Sequence, residues 1–172
     1  ANVDDGSCEY SNPNVHNVPS EFATIQEAID YADDGDTVSV AAGTYLENIN
    51  FNGKNIVVIG YDRETTIIDG SNSSGVPGVR INMTNGGELS GFTIQNFHGH
   101  GSGGALHVED TDSSILINNM IIQNNSSTGN GGGAYFHITE SQITDCIFKQ
   151  NISERGGAIF FDDVDIDLNK VV

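Results

Sequence analysis

Four histidines stand in the middle of the chain, His98, His100, His107 and His137, and they are the first residues whose chemistry asks for a partner. His98-Gly99-His100 sets two imidazoles in a glycine-rich loop, where a metal would need a third ligand that no nearby residue supplies. A polysaccharide lyase would need a basic residue to take a proton and a cation to neutralise a uronate. The only Lys and Arg are Lys54, Arg63, Arg80, Lys149, Arg155 and Lys170, and they are scattered. Arg80, near Asp69, is the best of them, and an exposed structural ion pair explains it as simply. Asp163-Val164-Asp165-Ile166-Asp167-Leu168-Asn169 alternates with period two. With its apolar members inward, a row of carboxylates faces out. That row could recruit calcium through oxygen ligands or could simply be a solvated strand face. Asn2, Asp4 and Asp5 share the oxygen-rich character of a calcium loop and are the candidate metal ligands. No cofactor is required by the sequence; calcium is the candidate. Asn72, Asn82, Asn124, Asn125 and Asn151 each open an Asn-x-Ser/Thr sequon and are candidate glycosylation sites where the host glycosylates.

Charge narrows the partners. In 172 residues, 24 Asp and Glu oppose 6 Lys and Arg, a net charge of −18. Such a surface repels nucleic acid and anionic lipid, so no nucleic-acid partner is expected. No run approaches the ~20 apolar residues that span a bilayer, so no membrane insertion by this segment is expected. The length suits one domain. Cys146 lies in an apolar strand pattern and should be a buried small hydrophobe. Cys8 lies in a polar segment and is expected to pair with a cysteine upstream of Ala1.

The elements that must position these groups are short. Residues 1–19 read as a linker or loop, and 20–172 as the folded domain. One helix is expected at about 24–32. Thr24 and Glu27 make a capping box, Ile25, Ala28, Ile29 and Ala32 form one apolar stripe, and Gly35 is available to end it. Short apolar runs follow: Val38 and Val40, Ile49 and Phe51, 56–59, and Ile67-Ile68. Then the sequence repeats. Leu89, Ile117, Ile143 and Leu168 recur at intervals of 28, 26 and 25, with Phe92, Met120, Cys146 and Val171 following them. Gly103-Gly104-Ala105, Gly132-Gly133-Ala134 and Gly156-Gly157-Ala158 interleave at 29 and 24. Each repeat is too small to bury its own apolar side, so neighbours must stack. The two series should then form ladders inside a right-handed parallel β-helix with a short N-terminal amphipathic capping helix.

The stretch Phe22 to Gly70 resembles the N-terminal part of pectin-lyase-like β-helix proteins. The resemblance rests on Phe22-Ala-Thr24-Ile25-Gln26-Glu-Ala28-Ile29-Asp30, Gly35-Asp36-Thr37-Val38, Gly43-Thr44-Tyr45-Leu-Glu47 and the run 56–60. It implies the capping helix and first coils, and is shared by enzymes and non-enzymes. The esterase signature of that superfamily is echoed only by Thr144-Asp145-Cys146, with no matching Arg. The C-terminal half is similar to the repeats of chlamydial-type polymorphic outer-membrane proteins, whose paired motifs are Gly-Gly-Ala before an apolar residue and Phe-x-x-Asn. Here these are 103–106, 132–135 and 156–159, with Phe148-Lys-Gln-Asn151 and its near copy Ile122-Gln-Asn-Asn125. Ile94-Gln-Asn-Phe97 lacks the Asn. Residues 1–10 resemble the end of a calcium-binding, thrombospondin-type-3-like linker of large secreted Bacteroidetes proteins.

The expectation is a non-enzymatic structural or adhesive segment of a large secreted or cell-surface protein, such as a bacterial adhesin or surface fibre. Its partners would be glycans or a host or neighbouring-cell surface. The chain stops on Val171-Val172 without a polar cap, so further coils or another subunit are expected at the C-terminal edge. The alternative is a carbohydrate-active module, a lyase, hydrolase or glycan-binding unit, which would show acidic and basic groups converging on one face.

Overall fold

The computed structural model describes residues 13–73, 75–84 and 86–172. Its strands wind into a parallel β-helix of about six turns that carries one short helix. Three stacks of parallel strands form its faces. The first face holds Val15–Val18, Thr37–Val40, Val57–Gly60 and Gly87–Ser90. It continues through the C-terminal ends of two long strands, Leu106–Asn118 and Ala134–Thr144, to Asp165–Asn169. The second face holds Gly43–Tyr45, Thr66–Asp69, Thr93–Gln95, Ile121–Gln123 and Ile147–Lys149. The third holds Ile49–Asn50, Val79–Asn82, the N-terminal ends of the same two long strands, and Ile159–Asp162.

Part of the stretch 1–19 expected as a linker or loop is a strand. Val15–Val18 pairs with Thr37–Val40, and His16 and Val18 turn inward. Asn2, Asp4, Asp5 and Cys8 lie outside the described residues.

Equivalent residues stack one strand spacing apart, about 4.8 Å. Val38, Val58, Leu89, Ile117 and Ile143 are in register in one column and fully buried. Leu168 continues that register, but it is 49 % exposed because no described coil covers it. Phe92, Met120 and Cys146 are buried as the companion ladder, with Val171 packed against the core. Burial pushes the Cys146 thiol up to about 11, as expected of an inert core cysteine.

Left-handed residues mark the three corners. Met83, Asp110, Ile138 and Asp163 follow the third face, Gly91, Asn119, Asp145 and Lys170 the first, and Asn96, Asn124 and Gln150 the second. Asn and Asp accept this conformation because their short polar side chains can bond locally, which explains why so Asn-rich a chain suits a solenoid. Ile138 is the exception. A β-branched residue at φ 44° is a steric outlier, and it stands half exposed at the rim of its corner.

The helix, Ile25–Tyr31, closes the N-terminal end with Ile25, Ala28 and Ile29 buried beneath it. The Thr24–Glu27 capping box forms as the sequence predicts. Three contacts from later coils lock the helix in place. The Glu47 carboxylate accepts the N–H groups of Ile25 and Gln26, each at 3.0 Å. The Gln26 side-chain amide imitates a strand, donating to Asn50 O at 3.1 Å and accepting from Asn50 N at 2.7 Å. Lys54 Nζ donates to the carbonyls of Ile29, Asp30 and Ala32 at 2.7–2.8 Å. A negative group at the N-terminus and a positive one at the C-terminus also match the helix dipole.

Beneath the helix, His16 and Asp36 form a buried pair at 2.8 Å, walled by Phe22 and Tyr31. Asp36 also accepts the N–H groups of Asn14 at 2.7 Å and Asp33 at 3.0 Å. Burial acts to raise this carboxyl, but the bonds from His16, Asn14 and Asp33 outweigh it and lower it to about 2 from its ordinary 3.8. A depressed folded-state value means that Asp36 stabilises fully above its unfolded value and loses that contribution as pH falls through the folded one. The stability gap between wild type and Asp36→Asn, measured by urea unfolding, should shrink as pH falls from about 4 to about 2. A gap that widens on acidification would contradict the assignment.

Candidate functional site

The third face carries a continuous network of charged and aromatic side chains. Two columns point outward from it. One runs Asn50, Arg80, His107, Tyr135 and Phe160; the other runs Asn82, Glu109, His137 and Asp162. Period-two alternation puts them there, because Val79, Ile81, Leu106, Val108, Ala134 and Phe136 take the inward positions.

From Arg80 to Asp162 the network is connected. Arg80 pairs with Glu109, and His107 Nε2 lies 3.0 Å from Glu109 Oε2, off the hydrogen-bond line. The Ser102 carbonyl can only accept, so His107 presents Nδ1–H to it at 2.9 Å. Tyr135 Oη donates to Asp162 Oδ2 at 3.0 Å. The Tyr135 ring meets His107 at 5.1 Å, and stacks on Phe160 at 6.0 Å and His137 at 6.1 Å. Burial acts to raise Glu109, yet His107 and Arg80 outweigh it and hold the carboxyl below its ordinary 4.5. Burial, and then Asp162, push the Tyr135 phenol up to about 12, so it is a donor rather than a base. At the N-terminal head of the strip, Gln26, Asn48, Asn50, Val76, Pro77 and Arg80 line a groove of about 230 Å³.

The expected Arg80–Asp69 pair does not form. Arg80 sits on the third face and Asp69 on the second, where Ser71, Gln95 and Asn96 hold its carboxylate. Gln123 extends this by donating to Gln95 at 2.7 Å. His98 Nδ1 lies 2.7 Å from Ser126 Oγ, and His100 is exposed. Among the described residues, no group of three or more His, Cys, Asp or Glu could hold a metal ion. Asp163, Asp165 and Asp167 are exposed; the first two line a concavity of about 390 Å³ with Glu140. Of the five sequons, Asn72 and Asn124 open to solvent, Asn82 and Asn151 are half-buried, and Asn125 is buried.

The repeat motifs have structural roles. Asn125 donates to Ile94 O at 3.1 Å and accepts from Phe97 N at 3.0 Å. One coil on, Asn151 donates to Ile122 O at 2.8 Å and accepts from Asn125 N at 3.1 Å. The Asn of Phe-x-x-Asn is thus a stitch to the preceding coil. Phe97 stands where the next stitch would be, packed in space left by Gly70 and Gly78. The Gly-Gly-Ala series needs one correction. Leu106 pairs with Ala134 and Ala134 with Ile159, so the middle copy is Gly131-Gly132-Gly133, one residue earlier than the literal Gly-Gly-Ala. Gly103, Gly131 and Gly156 all have positive φ, which confirms that register.

Sequence reasoning found Arg80, His107 and His137 but missed Glu109, Tyr135 and Asp162. Their signal was present in the alternation of 106–109 and 134–137, readable only once the repeats are aligned in the corrected register. Among known families, residues 145–162 match the Chlamydia polymorphic membrane protein (Chlamydia_PMP) repeat. No curated protein matches the chain. The matched stretch spans Cys146 of the core ladder, the Asn151 stitch and the 156–158 glycine corner, so the similarity lies in the residues that build the solenoid.

Proposed function

We propose that the chain is a non-enzymatic structural and adhesive segment of a large secreted or cell-surface protein, presenting the third face to glycans or to a host or neighbouring cell. The observation that carries this reading is the match of residues 145–162 to a surface-protein repeat, made through residues that extend the stack. The fold is compatible with lengthening by further coils or by another subunit at the C-terminal edge, because each strand pairs with the equivalent strand of the adjoining coil. No helix among the described residues is long and apolar enough to cross a membrane. Cofactors are not needed in this reading; calcium, if used, belongs to Asn2, Asp4 and Asp5. The second reading, a carbohydrate-active enzyme, draws on the convergence of Arg80, Glu109 and His107 on one face.

Purified protein incubated with pectin or alginate and calcium should release no unsaturated products. Beads coated with it should adhere to host or neighbouring bacterial cells above beads coated with an inert protein. Unsaturated products that disappear in Arg80→Ala would replace the first reading with the second, and beads that fail to adhere would remove the adhesive role.

A further inference from the structure

We infer that the outward strip of the third face binds a neutral or amino-sugar saccharide rather than a polyuronate; this rests on the surface-display reading above. The argument is one of charge. Within the strip's two columns Arg80 is the only Lys or Arg, and Glu109 already neutralises it. Elsewhere, Lys54 is spent on helix carbonyls, and Arg63 lies beside Glu64 and Asp145. A polyuronate would bring repeated carboxylates to a strip that holds Glu109 and Asp162, in a chain of net charge −18. Nothing on that face would offset the repulsion.

The same groups suit hydroxyl-rich and cationic sugars. Asp162 and Glu109 accept from hydroxyl or ammonium groups. Asn50 and Arg80 offer donors at the head groove. Phe160, half-buried and stacked on the buried Tyr135 ring, gives an aromatic surface on which the apolar side of a sugar ring or an ammonium group can rest. Arg80 to Phe160 spans three strand spacings, about 14 Å, so an extended oligosaccharide can lie along the stack rather than across it.

Titration calorimetry of the 172-residue chain at physiological ionic strength would use chitosan, N-acetylchitosan, cello-oligosaccharide, oligogalacturonate and oligoalginate as probes. Amino-sugar and neutral oligomers should bind, the former more tightly, and the uronates should give no heat. Asp162→Asn, Glu109→Gln and Phe160→Ala, each checked for folding by circular dichroism, should weaken amino-sugar binding about tenfold. Asp167→Asn, on the exposed first-face edge, should leave it unchanged, which separates the strip from general charge attraction. Binding of uronates as tightly as amino sugars, binding indifferent to the strip variants, or no saccharide binding at all would each overturn the inference. Cell adhesion without saccharide binding would sink it while sparing the surface-display reading; uronate cleavage would sink that reading instead.

Discussion

Asn125→Ala should lower the unfolding free energy by about 3 kcal/mol or more, a loss unusual for a polar residue in a solenoid corner. Asn125 is 1 % exposed, and its amide serves Ile94 O and Phe97 N in one coil while meeting Asn151 Oδ1 in the next. Alanine removes the amide, orphans the buried N–H of Phe97 and takes from Ile94 O and Asn151 Oδ1 the donor it supplied. Each such orphan costs about 1–3 kcal/mol, more than the bond itself contributes when made. Urea unfolding is the measurement, with the slope checked so that a shift in midpoint reports stability. Asn125→Asp should not rescue: it restores the acceptor for Phe97 N but supplies no donor for Ile94 O and buries a charge. A loss below about 1 kcal/mol in Asn125→Ala would mean that water or backbone relaxation replaces the stitch. Glycosylation at this sequon would need the amide free, so a folded protein should not carry it, whereas Asn72 and Asn124 remain accessible.

Gly104→Ala should be comparably damaging for a different reason. A Cβ at Gly104 would overlap Gly132 O and come within 2.6 Å of Ser126 O, both backbone atoms of the adjoining coil. Backbone cannot rotate aside as a side chain can, so the coils must separate locally, breaking the bond from Gly104 N to Gly131 O at 3.0 Å. Overpacking of a tight interior costs about 1–3 kcal/mol, and a clash with two carbonyls belongs at or above the top of that range. The control is Gly101→Ala: Gly101 has open space around it, and its φ of 97° leaves only a conformational cost of about 1–2 kcal/mol. Thermal melts of the two variants side by side separate close approach from backbone preference. Equal losses would show that coil spacing at Gly104 is not what the glycine protects.

The fold was legible in the sequence because its determinants are local and repeated. Alternation of Val38 and Val40, the stripe Ile25-Ala28-Ile29-Ala32 and the recurrence of Leu89, Ile117 and Ile143 each specify which side of an element is apolar. A chain that repeats such a pattern has one economical way to bury it: stack the copies. The capping box was equally local, needing only Thr24 and Glu27 three residues apart.

What the tertiary structure decided lies between coils. Arg80 joined Glu109 rather than Asp69 because the two carboxylates belong to different faces, and the face of a residue depends on how many residues each corner consumes. Corner lengths vary here, from the long strands that bend through Asp110 and Ile138 to the glycine loops before Leu106 and Ala134. One residue more or less at a corner slides every later pairing, which is how the middle Gly-Gly-Ala came to be read one position late. The locks that hold the helix, Glu47, Asn50 and Lys54, could not be assigned from spacing either, since each reaches it from more than twenty positions along the chain. Thus the sequence by itself determined the solenoid, its cap and its apolar columns. Only the register of coil on coil decided which outward residues meet on the third face, because that register is a sum over all the corners and no single stretch of sequence contains it.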